Sequence, residues 1–291
     1  MEFNNNDEFY NNAIIKPPED SLSYEGDTRF TRIVVDSKDR NTNLFPEPNS
    51  YDIVFDDDIN DVISAQLINI ELPLNTYLIN KYFNTIKVTI NNVNYNVILS
   101  IGNYTPTELA TELDLQFNKI GNFSIIYNTT KTDNFTIMSD NNFSIDFSTK
   151  NSLAMMLGYK QIIYNSITTV PTNASFPFMI KSEFRLNFDF NNYAVMFIDQ
   201  FDVNKNQNNP LNKSFAIIGK DYSKLNINDE PNIIKNFSPP IGKINKFKIT
   251  FYDRYGNLYD FQNMDHRFEI LFKSHKQRRK YMAVLKNHFK K

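Results

Sequence analysis

The sequence predicts an all-β fold, an antiparallel β-sandwich of jelly-roll-like type with one inserted amphipathic helix and a short C-terminal helix. Three observations predict it. Apolar and polar residues alternate in one segment after another, the period of two that puts every second side chain on a buried face. The segments are short and evenly spaced, with connectors rich in Asn, Asp and Thr. The apolar content is dominated by residues that suit a pleated surface, with 26 Phe and 16 Tyr but no Trp. A jelly roll is one common arrangement of such strands, and the pattern alone does not separate it from other sandwiches.

Taken in order, residues 1–28 are polar and aperiodic and read as an extended arm. A short apolar strand at 32–35 ends at Asp36-Ser-Lys-Asp-Arg-Asn41. Tyr51, Ile53 and Phe55 alternate as a second strand, closed by Asp56-Asp57-Asp58, which reads as a solvated turn. The triplet lacks the spaced oxygen ligands and turn Gly of a calcium loop. Residues 62–72 form a separate apolar strand ended by Pro73. Ile86, Val88 and Ile90 alternate up to Asn91-Asn92, whose tolerance of positive φ suits a hairpin turn, and Val93, Tyr95 and Val97 alternate back.

The one strong helix follows. Thr105 is the N-cap, Pro106 the first helical residue, and Glu108 completes a capping box. Leu109, Leu113 and Phe117 recur at four-residue spacing along one face. Strands resume at 123–127, 135–137 and 143–147, and residues 151–158 give a short helix stopped by Gly158. A seam between two lobes is placed at 160–180, where Pro171 and Pro177 interrupt the pattern. Phe184, Leu186, Phe188 and Phe190 alternate as a further strand, and 195–201 as another.

The best organised stretch is 238–272. Phe247, Ile249 and Phe251 alternate with Lys246, Lys248 and Thr250; Asp253-Arg-Tyr-Gly256-Asn257 supplies turn chemistry; Phe268, Ile270 and Phe272 alternate again. The two runs read as neighbours in one antiparallel sheet. The domain organisation is thus an arm at 1–28, a sandwich at 29–272 and a basic tail at 273–291.

Composition excludes several chemistries. There is no Cys, hence no disulfide or thiolate site. The 7 Gly form no phosphate-binding loop, and no apolar run approaches the roughly 20 residues of a membrane span. The first residues lack the basic start and apolar segment of a secretory signal. His266, His275 and His288 show no metal-ligand spacing. No catalytic, cofactor-binding or metal residue is assigned, and no cofactor or small-molecule substrate is expected. Asp260, Asp265 and Glu269 are the acids a glycosidase reading would use, and loop capping accounts for them equally.

The formal net charge is -2, yet from 273 onward there are only bases: Lys273, Lys276, Arg278, Arg279, Lys280, Lys286, Lys290 and Lys291. With Tyr281, Val284, Leu285 and Phe289 at helical spacing, this tail reads as a basic amphipathic helix. Such a segment suits an acidic protein groove, an anionic membrane surface or nucleic acid, or packs on its own domain.

Several segments together carry a resemblance. They are Val35-Asp-Ser-Lys-Asp-Arg-Asn41, then Pro46 to Tyr51, Ser64-Ala-Gln-Leu-Ile-Asn-Ile-Glu-Leu-Pro73, Tyr104-Thr-Pro-Thr-Glu-Leu109, residues 153–158, and Pro239-Pro-Ile241 through Phe251-Tyr-Asp-Arg-Tyr-Gly-Asn-Leu-Tyr-Asp-Phe261 to Asp265-His-Arg-Phe-Glu-Ile270. In this order the chain resembles minor capsid proteins of nucleocytoplasmic large DNA viruses, on the mimivirus and phycodnavirus side. The resemblance spans about residues 30–272 and leaves out arm and tail. It implies a non-enzymatic structural protein of the virion, assembled in the host cytoplasm, with the major capsid protein and other minor capsid proteins as partners, in a cement or penton role. Two other readings compete: a glycan-binding attachment module, and a glycoside hydrolase on a β-sandwich.

Overall fold

A computed structural model describes residues 28–74, 76–129, 132–168, 175–189, 192–201, 213–220, 224–225 and 233–276. The chain opens with β1 (Thr28–Asp36) and a very long β2 (Ser50–Glu71). Then come β3 (Thr85–Ile90), β4 (Val93–Ile98), helix α1 (Pro106–Phe117), β5 (Phe123–Asn128), β6 (Asn134–Ser139), β7 (Phe143–Asp146), helix α2 (Ala154–Leu157), β8 (Ile163–Asn165), β9 (Ile167–Thr168) and β10 (Phe178–Lys181). It closes with β11 (Tyr193–Ile198), β12 (Ala216–Gly219), β13 (Lys224–Leu225), β14 (Ile233–Tyr252) and β15 (Arg267–His275). Every pairing among these strands is antiparallel, and the fold is all-β.

Two hydrophobic cores result. The first belongs to a sheet ordered β1-β15-β2-β14-β11-β12, with β13 added to β2. The second lies among two four-stranded sheets, β5-β6-β10-β9 and β4-β3-β7-β8. The buried residues of the second all come from the chain between β2 and β11, and Tyr255 packs against them from outside it. From the stretch 160–180, Tyr164, Phe178 and Ile180 pack in this second core, and residues 169–174 lie outside the described residues.

Local chemistry explains the second core's elements. Thr105 and Glu108 form the reciprocal capping box of α1, with Glu108 Oε2 accepting from Thr105 N–H at 2.8 Å. Leu109, Leu113 and Phe117 are the buried face. Phe117 meets Phe123 of β5 at 5.1 Å, and Phe123 meets Phe143 of β7 at 5.2 Å, so one ring ties the helix to both sheets. Asn91 and Asn92 turn the β3–β4 hairpin with φ of 49° and 65°. Gly158 ends α2 at φ 80°, where a Cβ would sit 2.2 Å from the Phe184 carbonyl oxygen.

The first sheet departs from the expected pattern. Residues 51–55 and 62–72 belong to one strand, β2, and Asp56-Asp57-Asp58 lie within it instead of in a turn. The reason is in the register. Ser64 pairs with Asn236 but Val62 with Ile241, so three extra residues of β14, among them Pro239 and Pro240, bulge out there. Ile59 pairs with Ile244 but Val54 with Lys246, so three extra residues of β2 bulge out in turn, and these hold the Asp triplet. The two excursions cancel: Phe247↔Ile53 resumes the register begun at Ile233↔Leu67. Prolines that cannot donate and carboxylates that seek water both sit where the ladder is interrupted.

β14 and β15 share one antiparallel sheet as expected but are not neighbours in it, because β2 runs between them and pairs with both. The 14-residue connection at 253–266 lets β15 reach the far side of β2, and alternation fixes a strand's face but not its partner. Within that connection Tyr259 and Phe261 are buried in the first core. The segment 184–189 is irregular instead of a strand, while Phe190 lies outside the described residues. Phe201 plugs the first core, meeting Phe215, Phe237, Phe247 and Phe272 with centroids 5.1, 5.3, 6.1 and 5.9 Å away.

Arg40 anchors the loop at 41–48. Its guanidinium donates to Ser37 O at 2.7 Å, Phe45 O at 3.0 Å and Pro46 O at 3.0 Å, and to Asp265 Oδ1 at 2.6 Å. Ser37 and His266 exchange bonds too: Ser37 N–H donates to His266 O, and His266 N–H to Ser37 Oγ, both at 2.8 Å. The His266 ring is 3% exposed, set among Tyr51, Phe251, Phe261 and Phe268, with Nε2–H donating to Pro48 O at 2.9 Å. Nδ1 is buried without a partner. Burial pushes the imidazole pKa down to about 4, against smaller opposing effects of the Pro48 hydrogen bond and the Asp265 charge.

Two predictions follow from these contacts. Arg40→Ala strips three carbonyls and a carboxylate of their donor, and urea unfolding is expected to show a loss of about 3 kcal/mol. Arg40→Lys, which lacks the planar fork, recovers only part of it. Parental stability in Arg40→Ala would mean that other contacts hold the loop. The second prediction concerns pH. The unfolded chain protonates His266 near the usual 6.5 and the folded chain near 4, so stability is full above the first value and falls as pH drops toward the second. Between pH 7 and pH 5 this one group accounts for about 2 kcal/mol. His266→Gln is expected to flatten that part of the stability–pH curve; an unchanged slope refutes the assignment.

Candidate interaction surfaces

The three acids of the glycosidase reading hold separate structural positions. Asp265 accepts from Arg40 and from Ser37 Oγ, the latter at 2.8 Å. Asp260 Oδ1 accepts from the backbone N–H of Gln262 at 2.9 Å, closing its own turn. Glu269 on β15 is 1% exposed and is clamped by Arg32 of β1 (Nε to Oε2 2.7 Å), Arg267 (3.0 Å) and Asn69 of β2 (3.4 Å). Burial alone would raise its pKa, but the hydrogen bonds from Arg32 and Asn69 and the two guanidinium charges outweigh it and hold the carboxyl below its usual range. The three adjacent strands β1, β15 and β2 are therefore cross-linked by one carboxylate. Among the described residues no group of three or more His, Cys, Asp or Glu is arranged to hold a metal ion.

The basic tail begins as a strand. Lys273 lies within β15, its ammonium 5.9 Å from the centre of the Phe30 ring, and Lys276 is exposed just past the strand's end. Arg278, Arg279, Lys280, Lys286, Lys290 and Lys291, and with them the expected C-terminal helix, lie outside the described residues, as does the arm before Thr28.

Three surfaces stand out. β1 is an end strand of the large sheet and shows Phe30 (59% exposed) and Val34 (52%) to solvent. Beside it, a cleft of about 680 Å³ runs between β1, the Asp56-Asp57-Asp58 bulge and Lys276, with Lys243 Nζ 2.7 Å from Asp58 Oδ2. A second cleft, about 760 Å³, opens where the two lobes meet. Its floor is β11 against β14: Val195 pairs with Tyr252 and Phe197 with Thr250, and the Phe197 and Tyr252 rings pack edge to face at 5.2 Å. Lys248, Lys213 and Arg254 rim it from the first lobe and Lys150 from the second.

The lobes are joined at this place by the 253–257 turn. Asp253 Oδ1 accepts from Tyr255 N–H and Asn257 N–H at 2.8 Å each, and Gly256 takes the φ of 77° that the turn requires. The turn then reaches across. Asn257 and Asn151 exchange amide hydrogen bonds of 3.1 and 3.2 Å, and the Tyr255 ring lies 4.9 Å from Phe83 of the second core. The cleft was not legible in the sequence as a site. Its one signal was the outward face of β14, where Lys246 and Lys248 alternate with buried Phe247 and Ile249. That Phe197 stands beside it is a fact of strand order.

Comparison with known proteins adds three findings. Residues 26–122, a third of the chain, match the model of a family of unknown function, DUF5901. No curated protein matches. Among solved structures the chain is similar to the mavirus penton protein at 11% identity and a TM-score of 0.36, over 84% of this chain and 99% of that one.

Proposed function

We propose that this chain is a structural virion protein, a minor capsid component in a cement or penton position of an icosahedral large DNA virus shell, acting through protein–protein contacts. The observation that carries the reading is spatial. The segments behind the sequence resemblance are far apart in the chain, yet they pack on one another. Arg40 of the first holds Asp265 of the last, Glu71 of the 64–73 segment pairs with Arg267, and Asn257 bonds Asn151 just before the 153–158 segment. The first two contacts hold the first lobe together and the third crosses to the second lobe, which supports a resemblance in architecture.

The surface suits the same role. Among the described residues β1 ends its sheet, and with exposed Phe30 and Val34 it offers a strand edge and apolar area to a neighbour. The hydrolase reading draws no support from Asp265 or Glu269, whose oxygens are engaged by Arg40 and Arg32. On this proposal the major capsid protein and other minor capsid proteins are the partners, the virion is the location, and the basic tail adds a contact to acidic protein, anionic membrane or nucleic acid.

Cross-linking mass spectrometry on purified particles of the virus that encodes the chain tests this. Lys273 and Lys276 are accessible handles, and reproducible links from them to the major capsid protein are expected. Absence of the chain from clean particles would overturn the reading.

A further inference from the structure

The cleft between the lobes has a distinct chemistry. Lys150, Lys213, Lys248 and Arg254 surround the Phe197–Tyr252 ring pair. Arg254 lies over the Tyr193 and Tyr255 rings, 5.7 Å from each centre. The two acids of the lining are turned to backbone amides. Asp199 Oδ1 accepts from Gln200 N–H and Lys248 N–H at 2.9 Å each, and Asp253 accepts from Tyr255 and Asn257. Four cationic side chains thus face two carboxylates around an aromatic floor, a net positive lining that fits a peptide offering carboxylates and rings together.

The chain itself supplies one. Residues 1–27 contain seven Asp or Glu and a single Lys, with Phe3, Phe9, Tyr10 and Tyr24 among them. The first ten residues, Met1-Glu-Phe-Asn-Asn-Asn-Asp-Glu-Phe-Tyr10, carry three of the acids and three of the rings. We infer that this cleft is the docking site of the chain's own N-terminal arm, residues 2–10, bound through its carboxylates to the lysine rim and through its phenyl rings to the floor.

Reach favours the arm of the same molecule. The arm joins β1 at Thr28, four strands from β11 and toward the other end of the sheet. That is on the order of 35 Å from the cleft by strand spacing and rise. Twenty-seven residues extend up to about 90 Å. A tether of this length presents its tip at about millimolar local concentration, above that of any second copy in dilute solution. The inference is independent of the virion reading, since it concerns the isolated chain.

The absence of Cys makes the test simple. In the full chain, Asn6→Cys gives a single thiol for a benzophenone maleimide, and photolysis followed by peptide mapping locates the arm. Cross-links are expected within 195–199 and 248–256, in the same molecule when heavy- and light-isotope chains are mixed. The pair Lys150→Glu and Lys248→Glu should lower their yield roughly ten-fold. On the unaltered lining, ~0.5 M NaCl should weaken them as well, a check that needs no folding-sensitive variant. Links confined to the basic tail at 273–291, links scattered over the surface, heavy–light hybrids, or a yield indifferent to both charge reversal and salt each overturn the inference.

Discussion

The structure depends on a strand that is too long to be straight. β2 has 22 residues, about 70 Å if fully extended, against a diameter of about 50 Å for a globule of this size. It must bend to keep one face on one core. The paired bulges with β14 bend it without changing the overall register, and smaller shifts against β15, between Glu269 and Ile270 and between Lys273 and Ser274, add to the curvature. A curled sheet of this kind needs a plug on its concave side, and Phe201 meets that need with four aromatic neighbours. Because β2 pairs with β14, β15 and β13, most of the first lobe is aligned by this one strand.

The polar residues of the frame act as staples, two of them where the sheet ladder stops and one across it. Arg40 caps carbonyls of a loop that has no strand partner, Asp253 gathers the amides of a turn, and Glu269 crosses three strands side to side. Arg40 and Asp253 take the place of backbone pairing that a loop or turn lacks, while Glu269 adds a side-chain link to strands already paired on both sides; in each case buried polar groups find partners. His266 is among the exceptions, since its Nδ1, like the hydroxyls of Tyr51 and Tyr159, has no partner among the described residues. The neutral imidazole serves as an aromatic filler that also holds Pro48, and its pH sensitivity is the consequence of that double use.

What could be read from the sequence was short-range. The capping box at Thr105 and Glu108, the Asn91-Asn92 turn and Gly158 as a helix stop each depend on chemistry within about five residues, and the structure has all three. The all-β class followed from alternation in the same way. What could not be read was decided at long range. Asp56-Asp57-Asp58 has the composition of a turn, and only the compensating excursion at Pro239-Pro240 shows it to be a bulge. The strands at 247–251 and 268–272 have equal claims to be partners, and the choice falls to β2, nearly 200 residues upstream. The cleft was invisible for the same reason: Phe197, Lys248 and Lys150 come from three separate segments.

Charge distribution along the chain follows from this architecture. Within the two lobes, several acids and bases are matched locally, as in Arg32–Glu269, Arg40–Asp265, Lys243–Asp58 and Lys160–Glu183. The imbalance is carried at the ends: seven acids to one base in residues 1–27, and only bases from Lys273 onward. Ends of opposite sign on one chain attract each other as well as outside partners, and which contact prevails is decided by desolvation and shape more than by charge number. A segment that is both acidic and aromatic gains little from charge pairing alone, where its rings stay wet. It gains more from a cleft where rings are buried as charges meet. On the docking inference drawn above, that asymmetry favours the lobe junction, where Phe197 and Tyr252 lie beneath the lysines.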